Sequence, residues 1–361
     1  MEVRRILVIE PICVEHEHAN FNKAFLTGIS SENNELDIIC EFHHFSRIRH
    51  GNLKRRKNPF YKKLSNNRGL KVIQELLLTI YAFFWGNFKY DQVIFLSCSK
   101  INFLVYGLLS FITTRAKTYF VAHSILSTIE SDKKAISLQK VVNLYLRHGN
   151  KMIVLGEPIK NNLKGVIWKL QNVISIPHLY EMGSIRKKQS SARLIFAFLG
   201  VMSKAKANLE FLSNNCKVLT NENFRIIGYS TQACNRIRFN IPTSPIPADD
   251  YERLIVESDY VVSCLDQSRY KYTASGTFFD SLKYSKPGIY LKNDFISYYF
   301  NEFGSLGYLC DTMDDIAQII ERIEEDGPDI KFYELCVSNI NKARLFFEPR
   351  NNNQLLLELV S

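Results

Sequence analysis

The chain has 361 residues, 46% of them hydrophobic, a length and apolar content that suit two α/β domains of similar size. Its formal charge of +10 calls for an anionic partner, whether nucleic acid, a lipid surface or a phosphorylated substrate. The eight cysteines form no C-x-x-C pair, which argues against a zinc site or a disulfide framework and for reduced, buried thiols in a cytoplasmic protein.

Arg4-Arg5 followed by Ile6-Leu7-Val8-Ile9 reads as a first strand, too short an apolar run for a signal peptide, and Phe21 to Ile29 reads as a helix. In a Rossmann-like unit the polar loop between them faces the bound ligand, so His16, Glu17 and His18 are candidate acid/base groups. Their spacing also suits a metal ion, yet no distant Cys or His set completes a ligand group, and no metal is expected. The bland alternative is three solvated loop side chains.

A strand over 36–42 leads into Arg47, Arg49, Lys54, Arg55, Arg56, Lys57, Lys62 and Lys63, eight cations within 17 residues and no acid among them. Leu76, Leu77 and Leu78 follow, then Tyr81, Phe83, Phe84 and Trp85. One reading is a peripheral membrane contact through residues 47–63 and 76–88, cations meeting anionic head groups and rings the boundary. The other is a solvated basic loop before a core helix. No binding module accompanies the charge, so nucleic acid is not an expected partner. The apolar segments 76–88 and 101–113 are interrupted and shorter than the roughly 20 residues a spanning helix needs.

Strands over 92–97 and 117–123 flank a buried helix over 101–112, and the second strand ends on His123, either a ligand contact or a satisfied core histidine. A helix over 137–147, a strand over 151–155 and a short helix at Glu157-Pro158 come next, with Glu157 a further acid/base candidate. Val173 to His178 closes the first domain, residues 1–182. The basic stretch 183–192 is the expected hinge, 193–340 the second Rossmann-like domain, and 341–361 a terminal segment whose helix is expected to return to the first.

The second domain opens on a strand over 194–200, followed by Lys204, Lys206 and a helix from Asn208. Another strand, 223–228, leads to the loop Gly228-Tyr229-Ser230. A proline-rich loop precedes a short helix over 250–258, and a strand covers 260–265. Then Ser275-Gly276-Thr277 falls where the next helix begins. Small side chains there let a ligand approach free N–H groups at the positive end of the helix dipole, which makes a phosphate seat. Pro287 ends that helix, 288–291 reads as a strand, and Asn293 and Asp294 lie in a loop suited to ligand contacts. Asn301 to Leu309 reads as the tail of the lobe, and helices over 314–324, 329–347 and 354–360 complete the chain.

The segment Tyr270 to Phe295, with small residues opening a helix and Lys286-Pro287 leading into a strand, resembles the nucleotide-sugar signature of glycosyltransferases with the GT-B architecture. Pro177-His178 before the linker resembles them too. The resemblance implies two Rossmann-like domains facing across a cleft, the first for the acceptor and the second for the donor. It implies a metal-independent transferase of the hexosyltransferase type, with no cofactor beyond its nucleotide-diphosphate sugar substrate. That enzyme would pass the sugar to a glycan or lipid-linked glycan in bacterial surface polysaccharide (lipopolysaccharide or capsule) biosynthesis, on the inner face of the cytoplasmic membrane.

Residue by residue, His16, Glu17 and His18 fall where inverting relatives place the base. His123 matches a strand-end histidine that contacts the donor sugar in the retaining family resembling glycogen synthase. Lys206 occupies the position of a diphosphate-gripping lysine; Val201 replaces the arginine that shares its task, and Lys204 is the cation able to substitute. Gly228 and Tyr229 fall at the nucleoside, and Ser275, Gly276 and Thr277 at the diphosphate. Two glutamates of the retaining family correspond to Tyr272 and Asp280, of which Asp280 keeps a carboxylate for ribose hydroxyls. These departures resemble divergent bacterial surface-polysaccharide glycosyltransferases, with inversion and retention both open. Two other functions fit the same scaffold: a nucleotide-sugar epimerase and a non-catalytic nucleotide-sugar-binding protein.

Overall fold

Runs such as Ile6-Leu7-Val8-Ile9 and Val93-Ile94-Phe95, fully buried at every side chain, are what a parallel sheet covered by helices on both faces requires. A computed structural model of the chain shows two such sheets. It describes all residues except 1–2, 15–17, 52, 61–67, 113–114, 133–135, 187, 189–192, 202–205, 231–235 and 266–269, with the main chain alone at 68, 201, 206 and 207. The chain divides into a first unit of Met1–Glu181, Tyr272–Ala274 and Phe347–Ser361, and a second of Met182–Lys271 and Ser275–Phe346.

The first unit runs β1 (Arg4–Ile9), α1 (Ala19–Ile29), β2 (Asn34–Ile39), α2 (Phe42–Ile48), β3 (Lys54–Arg55), α3 (Arg68–Lys89), β4 (Gln92–Phe95), α4 (Lys100–Leu109), β5 (Lys117–Ala122), α5 (Leu138–Arg147), β6 (Lys151–Leu155), α6 (Glu157–Asn162) and β7 (Val173–Ile176). Its strands are parallel in the order β3-β2-β1-β4-β5-β6-β7, so the order reverses between β1 and β4. Loops leaving the carboxyl ends of two strands that part in this way open a crevice, the usual place for a ligand in an open α/β sheet.

The second unit runs β8 (Phe196–Val201), α7 (Lys206–Asn215), β9 (Phe224–Tyr229), α8 (Ala248–Val256), β10 (Tyr260–Ser263), α9 (Gly276–Lys283), β11 (Gly288–Leu291), α10 (Asp294–Phe303), β12 (Gly307–Cys310), α11 (Met313–Asp326) and α12 (Ile330–Phe347). Its parallel sheet has the order β12-β11-β10-β8-β9 and reverses between β8 and β10.

α12 is continuous to Phe347, so the chain rejoins the first unit there and not at residue 341. The terminal helix α13 (Asn353–Leu359) packs on α1 so closely that a β-carbon on Gly28 would meet the Leu356 side chain at 2.1 Å. Arg4 and Gln92 donate to the Val360 carbonyl at 3.1 and 2.7 Å, which fixes the end of the chain across β1 and β4. Tyr272–Ala274 groups with the first unit, outside the donor domain its sequence position suggested, and Ala274 packs against that unit's core. The described cysteines are all buried, and among the described residues none forms a disulfide. Among the described residues no helix is long and apolar enough to cross a membrane.

Candidate functional site

In the second unit, the carboxyl ends of β8 and β9 meet through backbone. β8 and β9 align Gly200 with Gly228, and a β-carbon on Gly228 would lie 1.8 Å from the Gly200 carbonyl oxygen. Gly200 has φ +99°, a left-handed conformation that glycine adopts at no steric cost, and its open side lies 3.9 Å from Thr277 Oγ1. The carboxyl end of β8 thus adjoins the start of α9. Tyr229 follows Gly228 as the half-buried last residue of β9.

Ser275 caps α9: its buried Oγ accepts from the Phe278 N–H at 3.3 Å. Among the described residues no acceptor takes the N–H of Gly276 or Thr277. Gly276 is exposed, with nothing within 4 Å of the place a β-carbon would occupy. The N–H groups of Gly276 and Thr277, at the positive helix end, thus have no acceptor among the described residues, and they can hold a phosphate oxygen.

The far end of α9 is clamped. Arg344, 7% exposed, donates to the carbonyls of Leu282 at 2.9 Å, Lys283, Gly183 at 2.8 Å and Met182 at 3.3 Å. Beyond α9, Lys286 is buried with Nζ on the Val256 and Ser258 carbonyls at 2.7 and 2.6 Å, and burial pulls its ammonium down to about 8. Midway along α9, Asp280 accepts from the Tyr251 hydroxyl at 2.7 Å.

Lys206 is the first residue of α7, the helix that leaves β8, and its side chain lies outside the described residues. So does all of Lys204. Tyr272, 3% exposed, belongs to the first unit. Asn293 is not a ligand-facing loop residue. It caps α10, accepting from Ile296 N at 3.0 Å, and its amide donates to the Leu265 carbonyl at 3.0 Å.

In the first unit, the loop after β1 is organised by Glu10, which sequence reasoning passed over as the end of a strand. Its carboxylate is 1% exposed; Oε1 accepts from the N–H groups of Ile12 at 3.1 Å and Cys13 at 3.0 Å and from the Ser97 hydroxyl, and Oε2 from Asn22 Nδ2 at 3.0 Å. A buried anion with several donors locks the β1 and β4 loops together at the point where the strand order reverses.

His16 and Glu17 lie outside the described residues. His18 precedes α1 in a left-handed conformation (φ 50°), makes no side-chain capping bond and is exposed. Its ring is 4.4 Å, centroid to centroid, from that of His123, at the end of β5. Phe21 stands edge-on to His123 at 4.6 Å and reaches His178 at 5.3 Å, while His123 and His178 are 6.5 Å apart. Three imidazoles share one apolar wall, a grouping to which the sequence assigned only two.

Burial, with the nearby His18 and His178, holds the His123 pKa well below the usual histidine range, and burial beside His18 lowers His178 to about 4. Both are neutral at pH 7, so His123 can accept or donate a hydrogen bond without carrying charge. The Nε2 atom of His123 is buried with no hydrogen-bond partner among the described residues. Among the described residues no group of three His, Cys, Asp or Glu side chains is placed to hold a metal ion.

The depressed His178 value carries a pH dependence. The unfolded chain takes up this proton near 6.5 while the folded chain resists it until about 4, so stability present above pH 6.5 is lost as pH falls toward 4. The thermal midpoint is expected to fall across that window, and less steeply in His178→Asn; parallel slopes for the two proteins count against it.

The basic and aromatic segments are only partly solvated. Lys54 pairs with Glu35 at 2.6 Å and Arg56 with Asp37 at 2.8 Å, so β2 takes up two of the cations. Lys62 and Lys63 lie outside the described residues. α3 is not wholly a core helix: Leu78, Ala82 and Phe83 face inward, while Ile73, Leu77, Phe84 and Phe88 are 52%, 41%, 53% and 77% exposed. Of these, Leu77, Phe84 and Phe88 line a shallow apolar groove of about 520 Å³ together with Phe60, Ile80, Tyr81 and Trp85.

No known family profile matches the sequence, and no curated protein matches it. Solved structures do match in fold. HepE from Anabaena, in complex with UDP, has a TM-score of 0.67 at 14% identity, over 99% of each chain. Sucrose-phosphate synthase from Thermosynechococcus elongatus has 0.70 at 10% identity, over 99% of this chain and 98% of that one. The lipopolysaccharide outer core galactosyltransferase WaaB has 0.61 at 12% identity, over 97% and 99%. A UDP-N-acetylglucosamine 2-epimerase matches more distantly, at 0.53. With its two parallel-sheet Rossmann-like units, the chain has the GT-B fold.

Proposed function

We propose that the protein is a glycosyltransferase that moves a sugar, of the hexose type, from a nucleotide-diphosphate sugar to a glycan or lipid-linked glycan in bacterial surface polysaccharide biosynthesis. The observation that carries the reading is the amino end of α9 beside Gly200, near the end of β8, at the switch point of the second sheet. The UDP bound by HepE and the galactosyl transfer named for WaaB support it at the level of fold.

In this proposal Ser275, Gly276, Thr277, Lys206 and Lys204 neutralise the departing diphosphate without a metal ion. Gly228 and Tyr229 flank the nucleoside. Electrostatic stabilisation of the leaving group supplies most of the rate. His16, Glu17 and His18 are the candidate bases for the acceptor hydroxyl, and His123 offers its buried Nε2 to a sugar hydroxyl.

The test is a panel of nucleotide-diphosphate sugars in a thermal-shift screen, followed by nucleotide release with the best binder, with and without a glycan acceptor. Release that rises with acceptor is the expected result. Conversion of the donor sugar with no acceptor present identifies an epimerase instead, a reading the shared fold of the 2-epimerase keeps in play. Binding with neither release nor conversion identifies a non-catalytic binder.

The acceptor proposed is membrane-borne, because the outer face of α3 carries an apolar aromatic stripe next to the basic segment 47–63. Peripheral contact through 47–63 and 76–88, on the inner face of the cytoplasmic membrane, buries those rings at the lipid boundary and places cations at anionic head groups. Flotation with vesicles containing anionic lipid is expected, and Phe84→Ser/Phe88→Ser is expected to remain in solution; equal flotation of both proteins overturns the contact.

A further inference from the structure

We propose that the lipid contact extends across α4, so that the layer of α3, α4 and α5 forms one face that lies flat on an anionic bilayer. The proposal rests on the membrane contact given above for α3, and adds a helix and a set of cations which that contact does not use.

α4 reads from the sequence as a buried helix, yet only one side of it is covered. Asn102, Phe103, Tyr106 and Gly107 are buried, while Ile101, Leu104, Val105 and Leu108 turn outward. Past Lys100 the outward side of the helix has no polar residue, whereas the outer side of a helix on a soluble domain ordinarily carries charged and polar groups. Leu108 and, just beyond the helix, Phe111 and Ile112 are each more than half exposed. α3, α4 and α5 pack side by side, and Asn87 Oδ1 accepts from Ala116 N at 3.0 Å, which ties the end of α3 to the segment after α4. The bare side of α4 therefore lies beside the exposed Phe84 and Phe88 of α3. A contiguous apolar patch of this kind marks a contact site, where single exposed side chains would not.

Charge decides the occupant. Residues 47–169 hold 22 Lys and Arg against five Asp and Glu, and the rest of the chain is acidic on balance. α3, α4 and α5 contain one acid between them, Glu75, and it is buried. Lys89 at the end of α3, Arg115 and Lys117 beyond α4, and Lys140 and Arg147 on α5 are all exposed. The basic segment 47–63 borders α3 as well, where Phe60 meets Tyr81 at 5.8 Å. An apolar middle is thus framed by cations. In a twofold pairing of this face with a second copy, one cationic border would meet another, which opposes association. Anionic head groups suit every border, and the acyl boundary takes Leu108, Phe111 and Ile112.

The experiment is vesicle flotation of the full-length protein, on phosphatidylcholine alone and on phosphatidylcholine with about 30% phosphatidylglycerol. Wild type is expected to float with the anionic vesicles and to stay in solution with the neutral ones. Leu108→Ser/Phe111→Ser is expected to weaken partitioning about tenfold with the thermal midpoint unchanged, since both side chains are exposed. Arg115→Ser/Arg147→Ser removes only exposed cations and is expected to weaken it by a similar factor; it decides alone should the first pair lower the midpoint. If both pairs float as wild type while Phe84→Ser/Phe88→Ser stays in solution, the contact is confined to α3, and this proposal is overturned while the earlier one stands. Unchanged flotation of all three, or no flotation of wild type, overturns both. Equal flotation of wild type with neutral vesicles overturns the role given to the cations. A wild type that sediments as a dimer without lipid, and as a monomer once Leu108 and Phe111 are replaced, makes the face an interface between copies and overturns the lipid proposal.

Discussion

Lys206→Ala is expected to lower the transfer rate about a hundredfold, the scale on which a single donor to a developing anion acts, while the thermal midpoint moves by no more than about 2 °C. Lys206 is the first residue of α7, the helix that leaves β8 at the switch point. A cation in the first turn opposes the helix dipole, so the helix gains nothing from a lysine there. Removing it is therefore close to neutral, or slightly favourable, for folding. A reason for the cation comes from outside the helix in the proposed reading, where Lys206 meets the donor diphosphate. The sign of the two effects separates this account from a structural one: activity falls and stability does not. Lys206→Arg retains charge and is expected to recover part of the rate. Turnover within twofold of wild type in the alanine variant would falsify the assignment.

The parts of the fold legible in the sequence are those set by local pattern. β1, β4, β5 and β6 read as strands because a parallel strand buried on both faces is a continuous apolar run. The start of α9 was legible because a cap, a glycine and an apolar helical spacing coincide at Ser275 to Leu282. The strand over 36–42 was read too long: β2 stops at Ile39, and Glu41 accepts from His44 N at 2.8 Å to start α2, a cap hidden among apolar residues.

The residues after β11 were misread for a related reason. Asn293 and Asp294 look like loop polar groups, yet Asn293 caps α10, and β12 (Gly307–Cys310) completes the sheet where the sequence over 301–309 reads as the tail of the lobe. Asn and Asp serve equally in ligand loops and at helix starts, and only the next element decides between them.

What no local pattern carries is long-range pairing. Glu10 becomes the anchor of the β1 loop only when β4 brings Ser97 to it, and Tyr251 meets Asp280 only once α8 lies beside α9. Lys286 illustrates the difference between a motif and its cause. The Lys-Pro pair was visible as part of a signature, whereas the buried ammonium tying down the carbonyls after α8 was not.

Gly228→Ala is expected to disrupt the second unit. The added β-carbon would lie 1.8 Å from the Gly200 carbonyl oxygen and 2.7 Å from its carbon, and both are backbone atoms of the adjacent strand. No rotamer change relieves such an overlap; β8 and β9 must separate where their ladder pairs Gly200 with Gly228. Overpacking in a core costs about 1–3 kcal/mol when side chains can shift, and a clash with main chain is expected to exceed that range. A loss of about 4 kcal/mol lowers the midpoint by roughly 8–16 °C in a unit of this size. Nucleotide affinity should fall with it, since the same displacement moves the end of β8 away from Thr277, which lies 3.9 Å from the open side of Gly200. Gly51→Ala is the control: it replaces a glycine of positive φ (47°), a strain Gly228 does not carry, and with nothing within 4 Å its cost is confined to about 1–2 kcal/mol of backbone strain. The two variants should therefore differ severalfold in cost, and Gly228→Ala alone should lose the nucleotide. A Gly228→Ala protein that melts with wild type and binds UDP normally would mean that β8 and β9 do not approach as closely as their paired glycines require.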